Sequence, residues 1–182
     1  MTQSMAAGAR WLLVAASAVS MMAAAGTAEL EWLRFRSERG RFAVQLPGHP
    51  EEIRDTRATL GGIVHWSEYR AKRGATELRV EHHDLPWLAK LLLSSDALLK
   101  RAKNGLVSEE NGHELSSSVV SLQGHPAREV SFRVPAEPDL SGDALLVLVG
   151  SRLYVVVALG PQAERDDSAR ERFLRSFEVW EP

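Results

Sequence analysis

The densest group of residues able to bind a metal or move a proton is Glu81-His82-His83-Asp84. It ends a segment, Thr76–His83, whose alternating apolar side chains predict a β-strand. Side chains two positions apart on a strand share a face, so His82 and Asp84 point the same way. An imidazole beside a carboxylate can bind a metal ion or transfer protons. The adjacent His82 and His83 point to opposite faces and cannot chelate a metal together.

Two interpretations of this group remain open. In one, His82 and Asp84, joined by His65, form the site of a metal-dependent envelope enzyme. In the other, they are polar residues at a strand end, and Asp84 caps the turn before Pro86. Trp87 lies at the same strand end and would contact a ligand bound there. The candidate ligand-binding residues are therefore His82, Asp84 and Trp87, and we assign no catalytic residue and no metal site.

Catalytic and cofactor motifs are absent from the sequence. It contains no Gly-x-Ser-x-Gly nucleophile motif and neither of the glycine-rich phosphate-binding motifs, Gly-x-Gly-x-x-Gly and Gly-x-x-x-x-Gly-Lys. The chain has no Cys, which excludes thiol nucleophiles, thiolate metal sites and iron–sulfur clusters. We therefore predict a protein that is not an enzyme and uses no cofactor.

The first 28 residues have the pattern of a secretory signal peptide. Arg10 is their one charged side chain, an apolar run extends from Trp11 to Ala25, and Gly26-Thr27-Ala28 supplies small residues for cleavage near Ala28. The apolar run is shorter than the roughly 20 residues of a membrane-spanning helix. An uncleaved membrane anchor is the alternative. We expect an exported protein, periplasmic or extracellular, that is soluble after cleavage.

The remaining residues suit a single domain with a well-formed core. Without Arg10, 21 basic side chains face 24 acidic ones, and the two signs are interspersed. This balance argues against a nucleic-acid partner, which would favour a basic stripe, and against a polybasic membrane patch. We expect a monomer whose partner is an unknown protein or small ligand, with no membrane contact after cleavage.

Strands and helices alternate in a regular order along this domain. Residues 29–40 are interpreted as a connector and residues 41–182 as the domain. Period-two patterns predict four strands before residue 84 and two between 115 and 134. Helices are predicted at 95–104, ending at Asn104-Gly105, and at 166–176, before a short edge strand. Two strand meanders, each followed by a helix, indicate an α+β fold with helices packed on an antiparallel sheet.

A second apolar stretch, Ala144–Leu159, is long enough to suggest a membrane span. Val149-Gly150-Ser151-Arg152 interrupts it, and Gly at the first loop position suits a type II′ turn. Its two arms are apolar on both faces, as central strands are. We therefore predict a central hairpin.

Three segments resemble small exported bacterial proteins with a PsbP-like fold. They are Gly40-Arg41-Phe42-Ala43-Val44-Gln45-Leu46-Pro47-Gly48-His49-Pro50, Leu122-Gln123-Gly124-His125-Pro126-Ala127-Arg128-Glu129 and Arg172-Phe173-Leu174-Arg175-Ser176-Phe177. The resemblance implies an α/β/α sandwich and a role in binding or assembly without catalysis, as in the extrinsic subunit of photosystem II. It brings no functional residue with it. The function expected is an exported, non-enzymatic binding or assembly module of the cell envelope. A metal-dependent enzyme using His82 and Asp84 and a purely structural envelope component are the alternatives.

Overall fold

The computed structural model describes residues 31–59, 62–86 and 92–180. Within these ranges the chain forms ten strands and two α-helices, with one short 3₁₀ turn at Gln162–Glu164. The strands are β1 (Trp32–Ser37), β2 (Phe42–Pro47), β3 (Glu51–Thr59), β4 (Gly62–Arg73), β5 (Thr76–Asp84), β6 (His113–Leu122), β7 (His125–Val134), β8 (Leu140–Val149), β9 (Arg152–Pro161) and β10 (Glu178–Val179). The helices are α1 (Ser95–Glu109) and α2 (Asp167–Arg175). The predicted signal peptide and Trp87 lie outside the described residues.

Seven strands form one antiparallel sheet in the order β3-β4-β5-β9-β8-β7-β6. The hairpin predicted at residues 144–159 is β8–β9, in the middle of the sheet and buried on both faces. Gly150, the first residue of its turn, has φ +57°, a conformation that glycine adopts without strain. The second apolar stretch is therefore the centre of the core, and no helix of the described residues is long and apolar enough to cross a membrane.

A second, smaller sheet has the order β1-β2-β10. Residues 29–40 were expected to be a connector, but β1 lies within them and pairs with β2 over its full length. The sequence Trp-Leu-Arg-Phe-Arg-Ser does not alternate cleanly between apolar and polar residues, so period-two patterning misses this strand. Backbone pairing with β2 holds β1 in place.

The two faces of the large sheet bury two separate cores. Helix α1 covers one face, here called the α1 face, with Leu98, Leu99 and Leu106 packed on β7, β8 and β9. Helix α2 and the small sheet cover part of the other, the α2 face, where Phe173 and Phe177 pack beside Phe42. The result is the α+β sandwich with helices on both faces that the sequence predicts.

Helix α1 is longer than the sequence pattern indicates. Its start agrees, because the Ser94 hydroxyl accepts the Ala97 N–H at 3.2 Å. The predicted stop at Asn104-Gly105 is wrong, since the helix continues to Glu109. Gly within a helix costs about 1 kcal/mol, and the burial of Leu106 offsets this cost. The chain leaves the helix at Asn111, where φ is +53°.

Candidate binding groove

His82 is a buried member of the α2-face core. Its side chain lies beside Tyr69 and Tyr154, with ring centroids 6.2 and 6.4 Å away, and it is 3% exposed. Neither ring nitrogen has a hydrogen-bond partner within the described part of the chain. Burial, reinforced by the nearby charge of Arg152, lowers the pKa of His82 to about 4. The imidazole is therefore neutral at pH 7 and out of reach of a ligand at the surface.

Asp84 shares the face of His82, as predicted, but its carboxylate is already occupied. Arg152 Nε donates to Oδ1 at 2.6 Å and Nη2 donates to Oδ2 at 2.9 Å. Burial opposes ionisation of Asp84, but the hydrogen bonds and charge of Arg152 outweigh it, so the Asp84 pKa is lowered. Arg152 also donates to the carbonyl oxygen of Arg39 at 2.8 Å. The pair fastens the turn between β1 and β2 to the large sheet.

The geometry gives no support to the metal-site interpretation. His65 is exposed, His82 is enclosed by aromatic rings, and both oxygens of Asp84 face a guanidinium. Within residues 31–59, 62–86 and 92–180, no three His, Asp or Glu side chains lie close enough to share a metal ion. His82 packs against aromatic rings and Asp84 pairs with Arg152.

The opposite face of the same strand carries an ion network that the sequence analysis did not single out. Arg79 Nε lies 2.9 Å from Glu81 Oε1, and Arg79 also pairs with Glu110 at the end of α1. Glu81 Oε2 is 3.3 Å from the Trp66 indole nitrogen and 3.2 Å from His83 Nε2. The period-two alternation that groups Arg79, Glu81 and His83 is the signal that could have identified it.

The network compensates its own charges. Burial raises the pKa of Glu81, but the His83 hydrogen bond and the Arg79 charge outweigh this effect and leave it below its usual value. The Arg79 pKa is raised, because the carboxylates of Glu81 and Glu110 outweigh the effect of burial. The cavity beside it, about 200 Å³, is lined largely by apolar residues of α1 and β9. We interpret the network as a clamp between α1 and the sheet.

A groove of about 710 Å³ lies on the α2 face. It lies between α2 and the strands β6, β7 and β8, where the face extends beyond the helix. We call it the α2 groove. Cross-strand pairing sets its floor in two rows, Ser116–Ser131–Asp143 and Ser118–Glu129–Leu145. Its wall is formed by α2 and by Arg165, which lies just before the helix. The helix residues that line the wall are Arg170, Glu171, Leu174 and Arg175.

Ion pairs neutralise one end of the α2 groove. Asp143 accepts from the Ser131 hydroxyl at 2.8 Å and from Arg170 Nη1 at 2.9 Å, and Arg165 Nη2 lies 2.9 Å from the same carboxylate. Arg170 is only 2% exposed, so this end is built into the core. On the wall, Arg175 and Glu171 pair with each other at 2.7 Å, and both side chains are exposed to solvent.

The middle of the groove floor keeps polar groups available. The side chains of Glu129, Ser116 and Ser118 are exposed, and no cation of the described residues pairs with Glu129. Val120, Leu145 and Leu174 supply apolar surface next to them. No histidine is among the described residues that line the groove. The floor offers hydroxyls and a carboxylate to solvent.

Comparison with solved structures places this architecture among known folds. The chain is similar to cyanobacterial PsbP (CyanoP) from Synechocystis sp. PCC 6803, with a TM-score of 0.56 and 14% identity over 85% of this chain and 96% of that one. A protein from Bacteroides thetaiotaomicron VPI-5482 matches with a TM-score of 0.46 and 12% identity, over 81% of this chain and 48% of that one. No protein-family model and no curated protein matches the sequence. The PsbP-like fold expected from the sequence is confirmed.

Proposed function

Because the chain has a PsbP-like fold with an open polar groove, we propose that it is an exported, non-enzymatic binding or assembly module of the cell envelope. The observation that carries the proposal is the α2 groove, a cavity of about 710 Å³ with exposed polar groups on its floor. A groove of several hundred cubic ångströms with a few convergent polar groups is the usual form of a binding site. The signal-like segment at residues 1–28 supports export.

The groove chemistry indicates what a partner contributes. Among the described residues no cation pairs with Glu129, and the flanking Ser116 and Ser118 hydroxyls can donate or accept hydrogen bonds. A partner segment with a cationic or hydrogen-bond-donating group over Glu129 and apolar groups over Leu145 and Leu174 would satisfy this floor. Binding rather than catalysis is supported because the buried Arg170 and the partly buried Asp143 pair with each other, and Arg165 pairs with the same carboxylate.

Site-specific photo-crosslinking in the native envelope tests the proposal. A benzophenone amino acid replaces Glu171, an exposed residue on the groove wall that pairs with an exposed Arg. The matched control replaces Glu38, which is also exposed and also pairs with an Arg, but lies in the β1–β2 turn. We expect a discrete adduct from position 171 and none from position 38.

Two results would contradict the proposal. Equal adducts at both positions, or none at position 171, would remove the groove as the binding site.

The mass of the protein in the same preparation, measured by mass spectrometry, tests export. A product beginning near Glu29 is expected, and a product that retains residues 1–28 would contradict cleavage.

A further inference from the structure

Strand β6 has an open outer edge and little protection against pairing. It pairs with β7 on one side only, and no strand of the described residues pairs with the other side. From Leu115 to Leu122 it contains no charged residue, Pro or Gly. Natural edge strands are usually guarded by charges, Pro or bulges, because open backbone groups invite another strand.

The other long edges of the structure carry that protection. Strand β3, at the far end of the same sheet, contains Glu51, Glu52, Arg54, Asp55 and Arg57. Strand β1, at the edge of the small sheet, contains Arg34 and Arg36. The unguarded edge is thus specific to β6, where the one irregularity is a bulge at Glu114/Ser116, near the start of the strand.

The exposed apolar residues of β6 are arranged symmetrically. Leu115 is 66% exposed and Val119 is 68% exposed, among the few large apolar side chains of the described residues that face solvent. They lie two positions either side of Ser117 in the sequence. Alternation places Val119 on the face of Ser117, whereas Leu115 is the extra residue of the bulge between Glu114 and Ser116, where alternation is interrupted. An antiparallel copy of β6 centred on Ser117 would bring Leu115 next to the Val119 of the other copy, twice by symmetry.

We infer that two copies of this chain associate through antiparallel pairing of their β6 edges, with Ser117 on the two-fold axis. The strand is self-complementary in this register, as a two-fold interface requires. The residues from Leu115 to Leu122 carry no charge, so no like charges are opposed around the axis, and contacts between the apolar side chains of Leu115 and Val119 add stability. The proposal departs from the monomer expected from the sequence.

This pairing also extends the binding surface. The same register sets Ser116 of one copy opposite Ser118 of the other, on the face that forms the floor of the α2 groove. The two grooves then share one row of serine hydroxyls across the axis. A long partner could contact both copies at once, which a monomer does not allow.

The association is measured by sedimentation equilibrium. The full sequence is expressed, and the product purified after the cell has processed it is used. We expect a concentration-dependent mass that approaches two chains. Val119→Lys places a charge at the centre of the pairing and should return the mass to one chain. Glu51→Lys is the control, because Glu51 is exposed and lies on β3, at the opposite edge of the sheet from β6, and it should dimerise like the unmodified protein. Near-ultraviolet circular dichroism verifies that both variants are folded.

A disulfide tests the register in the same protein, which has no cysteine of its own. Directly opposed residues of an antiparallel pair have Cα atoms about 4.5 or 5.5 Å apart, and disulfides form at roughly 4.4–6.8 Å. Ser117→Cys should therefore link two copies under mild oxidation. In Ser121→Cys the two sulfurs lie about eight residues apart along the pair, or roughly 27 Å, and no link is expected. A single-chain mass at every concentration, an unchanged dimer in Val119→Lys, or equal linking by both cysteines would each overturn the proposal.

Discussion

The two ionisable residues that end strand β5 behave differently because of what lies beside each in the sheet. His82 is opposite Tyr154 on β9, whereas Asp84 is opposite Arg152. An aromatic neighbour excludes water and offers no charge, so the imidazole remains neutral. A guanidinium supplies two hydrogen bonds and a positive charge, so the carboxylate remains ionised. Neighbours on the next strand, rather than the residue types themselves, decide their chemistry.

The buried imidazole of His82 makes the folded protein less stable at mildly acidic pH than at neutral pH. The folded pKa of His82, about 4, lies below the unfolded value of about 6.5. Between these values the unfolded chain binds a proton that the folded chain does not, so stability falls as the pH drops through this window. We expect a loss of about 2–3 kcal/mol between pH 7 and pH 4.5, measured by urea unfolding followed by tryptophan fluorescence.

Substitution of this residue should remove the effect. His82→Leu keeps a similar volume and has no proton to bind, so its free energy of unfolding should change much less over the same interval. His49→Leu, in an exposed turn, should keep the original pH dependence. A parallel decline in His82→Leu and the unmodified protein would assign the acid sensitivity to other groups. Asp84 and Glu52 have lowered pKa values in the folded protein, so they add stability that is lost as the pH falls below about 4.5, where the unfolded carboxylates begin to bind protons.

At the scale of elements, the attachment of helix α2 depends on one buried arginine. Arg170 lies at the base of the helix, 2% exposed, with Nη1 donating to Asp143 on β8 at 2.9 Å. Its Nη2 reaches the Gly160 carbonyl at 3.4 Å. The helix has nine residues, too few to be stable without packing. Phe173 supplies the apolar part of that packing, and Arg170 supplies the polar part.

Removal of this arginine should destabilise the fold strongly. Arg170→Ala leaves Asp143 partly unpaired and opens space below the helix, so we expect a loss of about 3–5 kcal/mol in the free energy of unfolding. Arg175→Ala is the control in the same helix, because its pair with Glu171 is exposed, and its effect should stay within about 0.5 kcal/mol. Thermal unfolding of both variants measures the difference. Equal effects would show that Arg170 does not anchor the helix.

The sequence predicts elements whose signal is local. The two arms of the central hairpin are apolar on both faces, and Gly150 marks their turn, so β8 and β9 could be placed without a structure. The burial of Arg170 could not be predicted, because its partner Asp143 is 27 residues earlier in the chain. Strand β1 was missed for a similar reason, since its place depends on pairing with β2. The α2 groove depends on which part of the sheet α2 leaves uncovered, and no local pattern encodes that.

At the scale of the whole molecule, the groove arises because the large sheet is wider than the helix and the small sheet that pack on its α2 face. Seven strands spaced about 4.8 Å apart span roughly 29 Å from first to last. Helix α2 covers about 10 Å of that width, and three strands of the small sheet cover about 10 Å more. About 10 Å of the face, two strands, is left over. The parts of β6 and β7 that carry Ser116, Ser118 and Glu129 lie in this uncovered strip, whereas Val120, Leu122 and Ala127 pack in the α2-face core. The polar floor and the open edge therefore occur at the same end of the sheet.

Because Glu129 lies on the groove floor and is exposed, a substitution there should change partner binding without changing the stability of the fold. Its side chain is exposed on the groove floor, so Glu129→Arg should leave the melting temperature unchanged. If a partner places a donor or a cation over this carboxylate, reversing the charge costs several kcal/mol of binding. The adduct formed from position 171 should then fall by about tenfold or more. Glu51→Arg changes the net charge equally at the far end of the same sheet and should leave the adduct yield as it was. A yield that survives Glu129→Arg would place the contacts on the helix wall instead of the sheet floor.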